Sequence, residues 1–141
     1  MNDYEQIVAT LDQYAHAYCA KDIHALMQVF DSTNSVSVIG TGNDELCCGQ
    51  NEVKDLFLRN FSEASATQFE WGWSDVVISN DHAVVAQCLT LHLSKGEVEF
   101  SVPIRWSIML KKTSRWVWVH RHASTASAVQ SDGCAYPRSA K

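Results

Sequence analysis

From Thr67 onward the hydrophobic pattern of this chain repeats every second residue, whereas before it the repeat is helical. Four stretches alternate in this way: Thr67 to Ser79, His82 to Ser94, Glu97 to Lys111, and Arg115 to Ser124. The breaks between them are short: Asn80-Asp81, Lys95-Gly96 and Thr113-Ser114. Connections of that length join antiparallel neighbours. The second half of the chain is therefore expected to be one long meander. Pro103 lies inside the third stretch and donates no ladder hydrogen bond, so it marks an edge or a bulge.

The first half is expected to be helical with short extended breaks. Asp3 to about Ala20 repeats Tyr4, Ile7, Val8, Leu11, Tyr14, Ala15 and Tyr18 at helical spacing, with Asp3 and Gln6 placed as a capping box. Asp22 caps a second helix, Ile23 to Phe30. Ser35 to Ile39 and Glu45 to Cys48 read as short strands around the turn Gly40 to Asp44. That turn lacks the Gly-Lys-Ser/Thr ending of a phosphate loop. A third helix starts at Gln50 or Asn51 and runs to about Ala64, with Val53, Leu56, Phe57, Asn60 and Phe61 on its inner face. Helices followed by antiparallel strands give an α+β fold. Long strands twist and curl around the N-terminal helix, which leaves a cone with a cavity. The 141 residues fit one domain, expected over 1–126, with an irregular tail over 127–141.

Charge and cysteines narrow the function classes. The formal net charge is −5 and the basic residues form no stripe, which argues against nucleic acid as a partner. The cysteines number five, show no CxxC spacing, and include the adjacent pair Cys47-Cys48. That is a poor disulfide framework and points to a reducing, cytoplasmic setting. The N-terminus lacks a basic segment followed by an apolar run, so no signal peptide is expected. No apolar run approaches the roughly 18 residues of a membrane span, so no membrane association is expected.

The densest cluster of chemistry is Arg115 to Ser124, RWVWVHRHAS. Strict alternation puts Trp116, Trp118, His120, His122 and Ser124 on one face, and Val117, Val119, Arg121 and Ala123 on the other. A two-residue Thr113-Ser114 turn pairs Lys112 with Arg115. Arg105 then lies opposite His122, Ser107 opposite His120, and Met109 opposite Trp118. A three-residue loop shifts that pairing by one. The candidate catalytic residues are His120 and His122 as acid or base and Arg105 as anion or oxyanion partner. Trp71, Trp73, Trp118, Tyr18 and Ser107 are candidate ligand-binding residues, with Trp71 and Trp73 as walls on the face of Asp75. Core packing is the competing reading of the aromatics. A structural or interface role is the competing reading of the histidines. His-x-His on a strand points both rings one way, but its third ligand would have to come from Asp44, Glu45 or His92, and the spacing demands none. Neither a metal nor another cofactor is expected. Cys47 and Cys88 need a neighbouring base to act as nucleophiles.

Lys21-Asp22 before the short helix, the segment GTGNDE over residues 40–45, and a closing strand with Trp116, Val119, His120, His122 and Ser124 together resemble the nuclear-transport-factor-2-like (NTF2-like) superfamily. The branch most similar is the SnoaL-like one, along with the association domain of calcium/calmodulin-dependent kinase. The resemblance spans about residues 3–126. It implies a cystatin-like cone, with N-terminal helices on a strongly curved, mostly antiparallel sheet. It implies a small-molecule binding protein or an isomerase, dehydratase or cyclase; the alternative is a non-catalytic homodimerisation or ligand-binding module with a vestigial cavity. The chain departs from the family's hydrolases, whose paired aspartates and arginine are not apparent. It also has Ala123 where the kinase domain has an arginine. Val102, Ile104, Trp106, Ile108 and Leu110 alternate on the face opposite Arg105 and are expected on the convex side. One sheet face must meet the helices and the other a second subunit, so a homodimer is expected. A pocket lined by His120 or His122 would favour the enzyme. A tryptophan-filled cavity with both histidines at an interface would favour the module.

Overall fold

A computed structural model describes residues 1–137. Helix α1 (Asp3–Cys19) is capped one residue earlier than predicted. Asn2 is the N-cap and its side-chain oxygen accepts from the Glu5 amide at 2.8 Å. Asp3 is used elsewhere: its Oδ1 accepts from Lys112 Nζ at 2.8 Å and from Trp116 Nε1 at 3.0 Å, which ties the helix start to the sheet. Helix α2 (Ile23–Met27) has the predicted cap, with Asp22 accepting from the Ala25 amide at 3.0 Å. It is shorter than expected because Phe30 leaves the helix and bridges Trp118; the Asp31 and Trp118 amides donate across that bridge at 2.9 Å each.

Strands β1 (Ser37–Ile39) and β2 (Leu46–Cys48) flank the Gly40–Asp44 turn, and α3 (Gly49–Glu63) follows. Then come β3 (Ser65–Ser79), β4 (His82–Lys95), β5 (Val98–Lys112) and β6 (Trp116–Ser124). The sheet order is β2-β1-β6-β5-β4-β3, antiparallel except for β1 against β6. Pro103 pairs with Thr90 on one side; on the other, β6 has already ended at the Arg105–Ser124 pair, so the missing amide lies on an open edge. Asn80 takes a positive φ of 53° in the β3–β4 turn and Gly96 one of 63° in the next, the conformations those tight turns require. After Ser124 the described chain has only bends and turns.

Two bulges change which side chains meet. In β3 the register shifts between Trp71 and Ser74. Gly72 sits there, where an added Cβ would lie 3.1 Å from the Cys88 carbonyl oxygen. The bulge sends Trp71 to the helix side and Trp73 outward, so the two do not form one wall. In β6 the register shifts between the Met109 and Leu110 pairs, leaving Val119 unpaired. The β5–β6 connection is also three residues long, because Lys112 pairs with Trp116. Loop and bulge each move the register by one. Arg105 therefore faces Ser124, Ser107 faces His122, and Met109 faces His120. The face predicted for Trp116 to Ser124 splits in two: Trp116 and Trp118 point to the helices, and His120, His122 and Ser124 point away.

The apolar row of Trp106, Ile108 and Leu110 is buried against the helices. It is thus the concave face of the sheet, not the convex one. Tyr14 of α1 is the centre of the core. It stacks on Trp118 with ring centroids 4.7 Å apart and meets the Trp106 ring edge-on at 5.4 Å.

Candidate functional site

Between α1, α3 and the concave sheet face lies a cavity of about 400 Å³. Its walls are Tyr14, Tyr18, Phe69, Leu91, Phe100, Val102, Ile104 and Trp106, and its polar groups are Asp44, Glu45, Arg59, Asn60, Glu63 and Arg121. Apolar walls with a few convergent polar groups are what small-molecule sites share.

Arg121 is the one charge on the otherwise apolar inner face of β6, and it is 6% exposed. Its Nη1 donates to the Tyr14 hydroxyl at 2.7 Å and its Nη2 makes a long 3.4 Å contact to the Ile39 carbonyl. Its Nε–H is buried without an acceptor. The guanidinium also lies over the Phe57 and Trp106 rings, at 5.7 and 5.9 Å. Burial pushes the Tyr14 hydroxyl pKa up, against the pull of Arg121. Burial pushes Tyr18 up too, and the neighbouring Tyr14 adds to it. Both phenols keep their protons at neutral pH and are available as hydrogen-bond donors.

The mouth is built on glycine. Glu45 Oε1 accepts from the Gly42 amide at 2.5 Å, and its Oε2 lies 3.6 Å from Arg59 Nη2. A Cβ on Gly42 would lie 2.6 Å from Glu45 Oε1, and one on Gly40 would lie 2.9 Å from the Glu45 Cβ. Only glycines let this carboxylate fold back against the turn. Arg59 also grips Asp44 through two bonds, 2.9 and 3.3 Å long, and this holds the Asp44 carboxyl below its usual range.

The residues singled out from sequence are distributed over three places. Tyr18 lines the cavity. Trp118 is wholly buried, donates to Thr10 Oγ1 at 2.8 Å and supports Tyr14 from behind. Trp71 packs on Phe69 and donates to Asp12 at 3.2 Å. Arg105, Ser107, His122 and Trp73 meet on the opposite, convex side, where with Cys88 and Ser124 they line a shallow groove of about 380 Å³. His120 shares that face; its Nδ1 is 2.7 Å from Ser37 Oγ on β1. Burial lowers its pKa, and repulsion from His122 adds to the effect. His92 pairs instead with Glu70 and Ser101, each at 2.8 Å. The Cys47 thiol is pushed up, first by burial and then by Glu52 and Glu45, so it stays protonated. Among the described residues no helix is long and apolar enough to cross a membrane.

Arg121 was not among the sequence candidates, and Glu45 entered only as a possible third metal ligand. The signal for Arg121 was present: a lone cation among Val117, Val119 and Ala123. For Glu45 it was weaker, a carboxylate just after two closely spaced glycines.

A family model described as a SnoaL-like domain matches residues 7–128. No curated protein matches the sequence. Among solved structures, a candidate dehydratase of the NTF2-like family from Streptomyces avermitilis superposes with a TM-score of 0.78 at 18% identity, over 88% of this chain and 96% of that one. A ketosteroid isomerase-like protein from Erwinia carotovora atroseptica gives 0.75 at 20% identity, over 87% and 95%. An NTF2-like protein with a cystatin-like fold from Novosphingobium aromaticivorans gives 0.72 at 16% identity, over 94% and 84%. At such identities these are likenesses of fold.

Proposed function

The chain belongs to the SnoaL-like domain family, and from that premise we propose that it binds a small organic molecule in the inner cavity and acts on it by acid–base chemistry, as an isomerase or dehydratase would. The observation that carries this reading is the convergence of a carboxylate, Glu45, and proton-bearing phenols, Tyr14 and Tyr18, on one apolar cavity. A carboxylate beside a bound carbonyl compound can take a proton from carbon. A phenol that keeps its proton can hydrogen-bond the oxygen on which charge develops. Glu45 then returns the proton, to another carbon in an isomerisation or to a departing hydroxyl in a dehydration.

The convex face supports a second part of the proposal, a homodimer. Trp73 is 64% exposed there, and Val77, Val84 and Met109 form an exposed row across β3, β4 and β5 on the same face. Such a patch is suited to a second copy. On that reading His120, His122 and Arg105 are interface groups, which is one of the two features of the alternative, a non-catalytic dimerising module; the other, a cavity filled by tryptophans, does not fit the open cavity. Five free thiols fit a reducing, cytoplasmic setting.

The test is a thermal-shift screen of ketones, enones and hydroxy acids on wild type, Ile104→Trp, and a double variant with Arg105→Ala and His122→Ala. Stabilisation lost in Ile104→Trp and kept in the double variant supports the cavity. The reverse pattern moves the site to the convex groove and refutes this reading.

A further inference from the structure

We infer that the inner cavity takes a monocarboxylate, anchored by Arg121. This rests on the reading of the cavity as a ligand site and adds the chemical class of the ligand.

Arg121 is a cation taken out of water without a counter-ion. Among the described residues no carboxylate lies within 4 Å of it, whereas Arg59, Lys111 and Lys112 each have one. Of the three carboxylates that share its cavity, Asp44, Glu45 and Glu63, none lies within 4 Å of the guanidinium, and two face Arg59 instead. Glu45 is held by the Gly42 amide and turned to Arg59, and Asp44 is gripped by Arg59. A guanidinium has five N–H groups; those of Arg121 meet two protein acceptors, Tyr14 and Ile39, and its Nε–H meets none. A buried charge is costly unless paired and hydrogen-bonded. A structural arginine in this position would have been given a carboxylate. One that lines an open cavity can offer its remaining Nη donors to an anion that arrives from outside.

The shape of the anion follows from the rest of the cavity. A planar guanidinium matches a carboxylate in a fork. The walls between floor and mouth are aromatic and aliphatic, so the body of the ligand is flat and apolar. The mouth carries Asp44, Glu45 and Glu63 against the single cation Arg59. A second carboxylate at the far end of the ligand would face that acidic rim, so one acid group is accepted and two are disfavoured.

Three probes test this on the full chain: phenylacetate, its neutral isostere phenylacetamide, and 1,4-phenylenediacetate, with a second acid at the opposite end. Binding is read from tryptophan fluorescence, since Trp106 lines the cavity. Phenylacetate is expected to bind at least about 10-fold more tightly than the amide, from the strength of a hydrogen bond to a charged partner. The diacid is expected to bind more weakly than phenylacetate. Arg121→Met should abolish the preference for acid over amide, and Arg121→Lys should keep part of it. Phenylacetate binding no tighter than the amide, absence of binding included, overturns the inference on wild type alone. An acid preference that survives Arg121→Met overturns it equally. If the acid preference fails while Ile104→Trp still weakens amide binding, the cavity reading stands and only the carboxylate is wrong. Probe binding unchanged by Ile104→Trp brings down both.

Discussion

Replacing Arg121 by methionine should leave the fold as stable as before or make it more so. The change removes a charge-assisted bond to the Tyr14 hydroxyl at 2.7 Å, worth about 1.5–3 kcal/mol. The 3.4 Å contact to the Ile39 carbonyl is too long to add much. The contacts over Phe57 and Trp106 add up to about 2 kcal/mol each where desolvated, and a methionine on the same rings recovers part of that through its sulfur. Against these stands the desolvation of a guanidinium with no carboxylate beside it, several kcal/mol that no counter-ion offsets. The expected outcome is a gain between zero and about 2 kcal/mol. That is a rise in melting temperature of up to about 6 °C for a domain of this size. Calorimetry measures the shift, and urea unfolding at unchanged m-value confirms that it is stability that moved. A loss of more than about 3 kcal/mol, the range seen when one half of a buried pair is orphaned, would show that Arg121 is a structural tie and would refute the reasoning.

Other outcomes follow from the same geometry. His120 has its pKa lowered from the ordinary 6.5, by burial first and by His122 second. The unfolded chain therefore takes up that proton more readily, and stability present above the unfolded value declines as pH falls from 6.5 toward the folded value. In His120→Gln the drop in urea midpoint between about pH 7.5 and about pH 5.5 should shrink; an unchanged drop would clear His120 of the effect. Gly42→Ala pushes a Cβ to 2.6 Å from Glu45 Oε1, so ligand binding should fall by more than stability, which changes by about 1 kcal/mol. Titration calorimetry beside thermal melts separates the two. Val84→Asp places a charge between Val77 and Met109 on the convex face, and sedimentation should show a shift from dimer to monomer. A dimer that persists at the same concentration would put the interface elsewhere.

The order of elements was legible because each announces itself locally: helical spacing before Thr67, alternation after it, and turn residues such as Asn80 and Gly96 at the hairpins. The length of α2 was not, because Phe30 is drawn out of the helix by a strand nearly ninety residues later in the chain. The register of the closing strand was misread at the same level. Alternation assumes an unbroken ladder, and a bulge is a property of two strands together. Gly72 hinted at one; nothing between Trp118 and His120 hinted at the other. The candidate list gathered the histidines, which draw attention as titratable pairs. It passed over Arg121, whose importance lies in what it lacks, a partner that only the folded chain could be seen to withhold.

The unpaired residue at Val119 also makes the closing strand a kind of reading frame. Removing one residue between Trp118 and His120 would restore strict alternation without touching the hairpin or the pairing beyond it. Arg121 would keep its inner place, and His120 and His122 their outer ones, because Met109 and His120 would still pair. The frame turns on keeping that extra residue out of the ladder: strict alternation through Val119 would instead bring His120 and His122 inward and send Arg121 out.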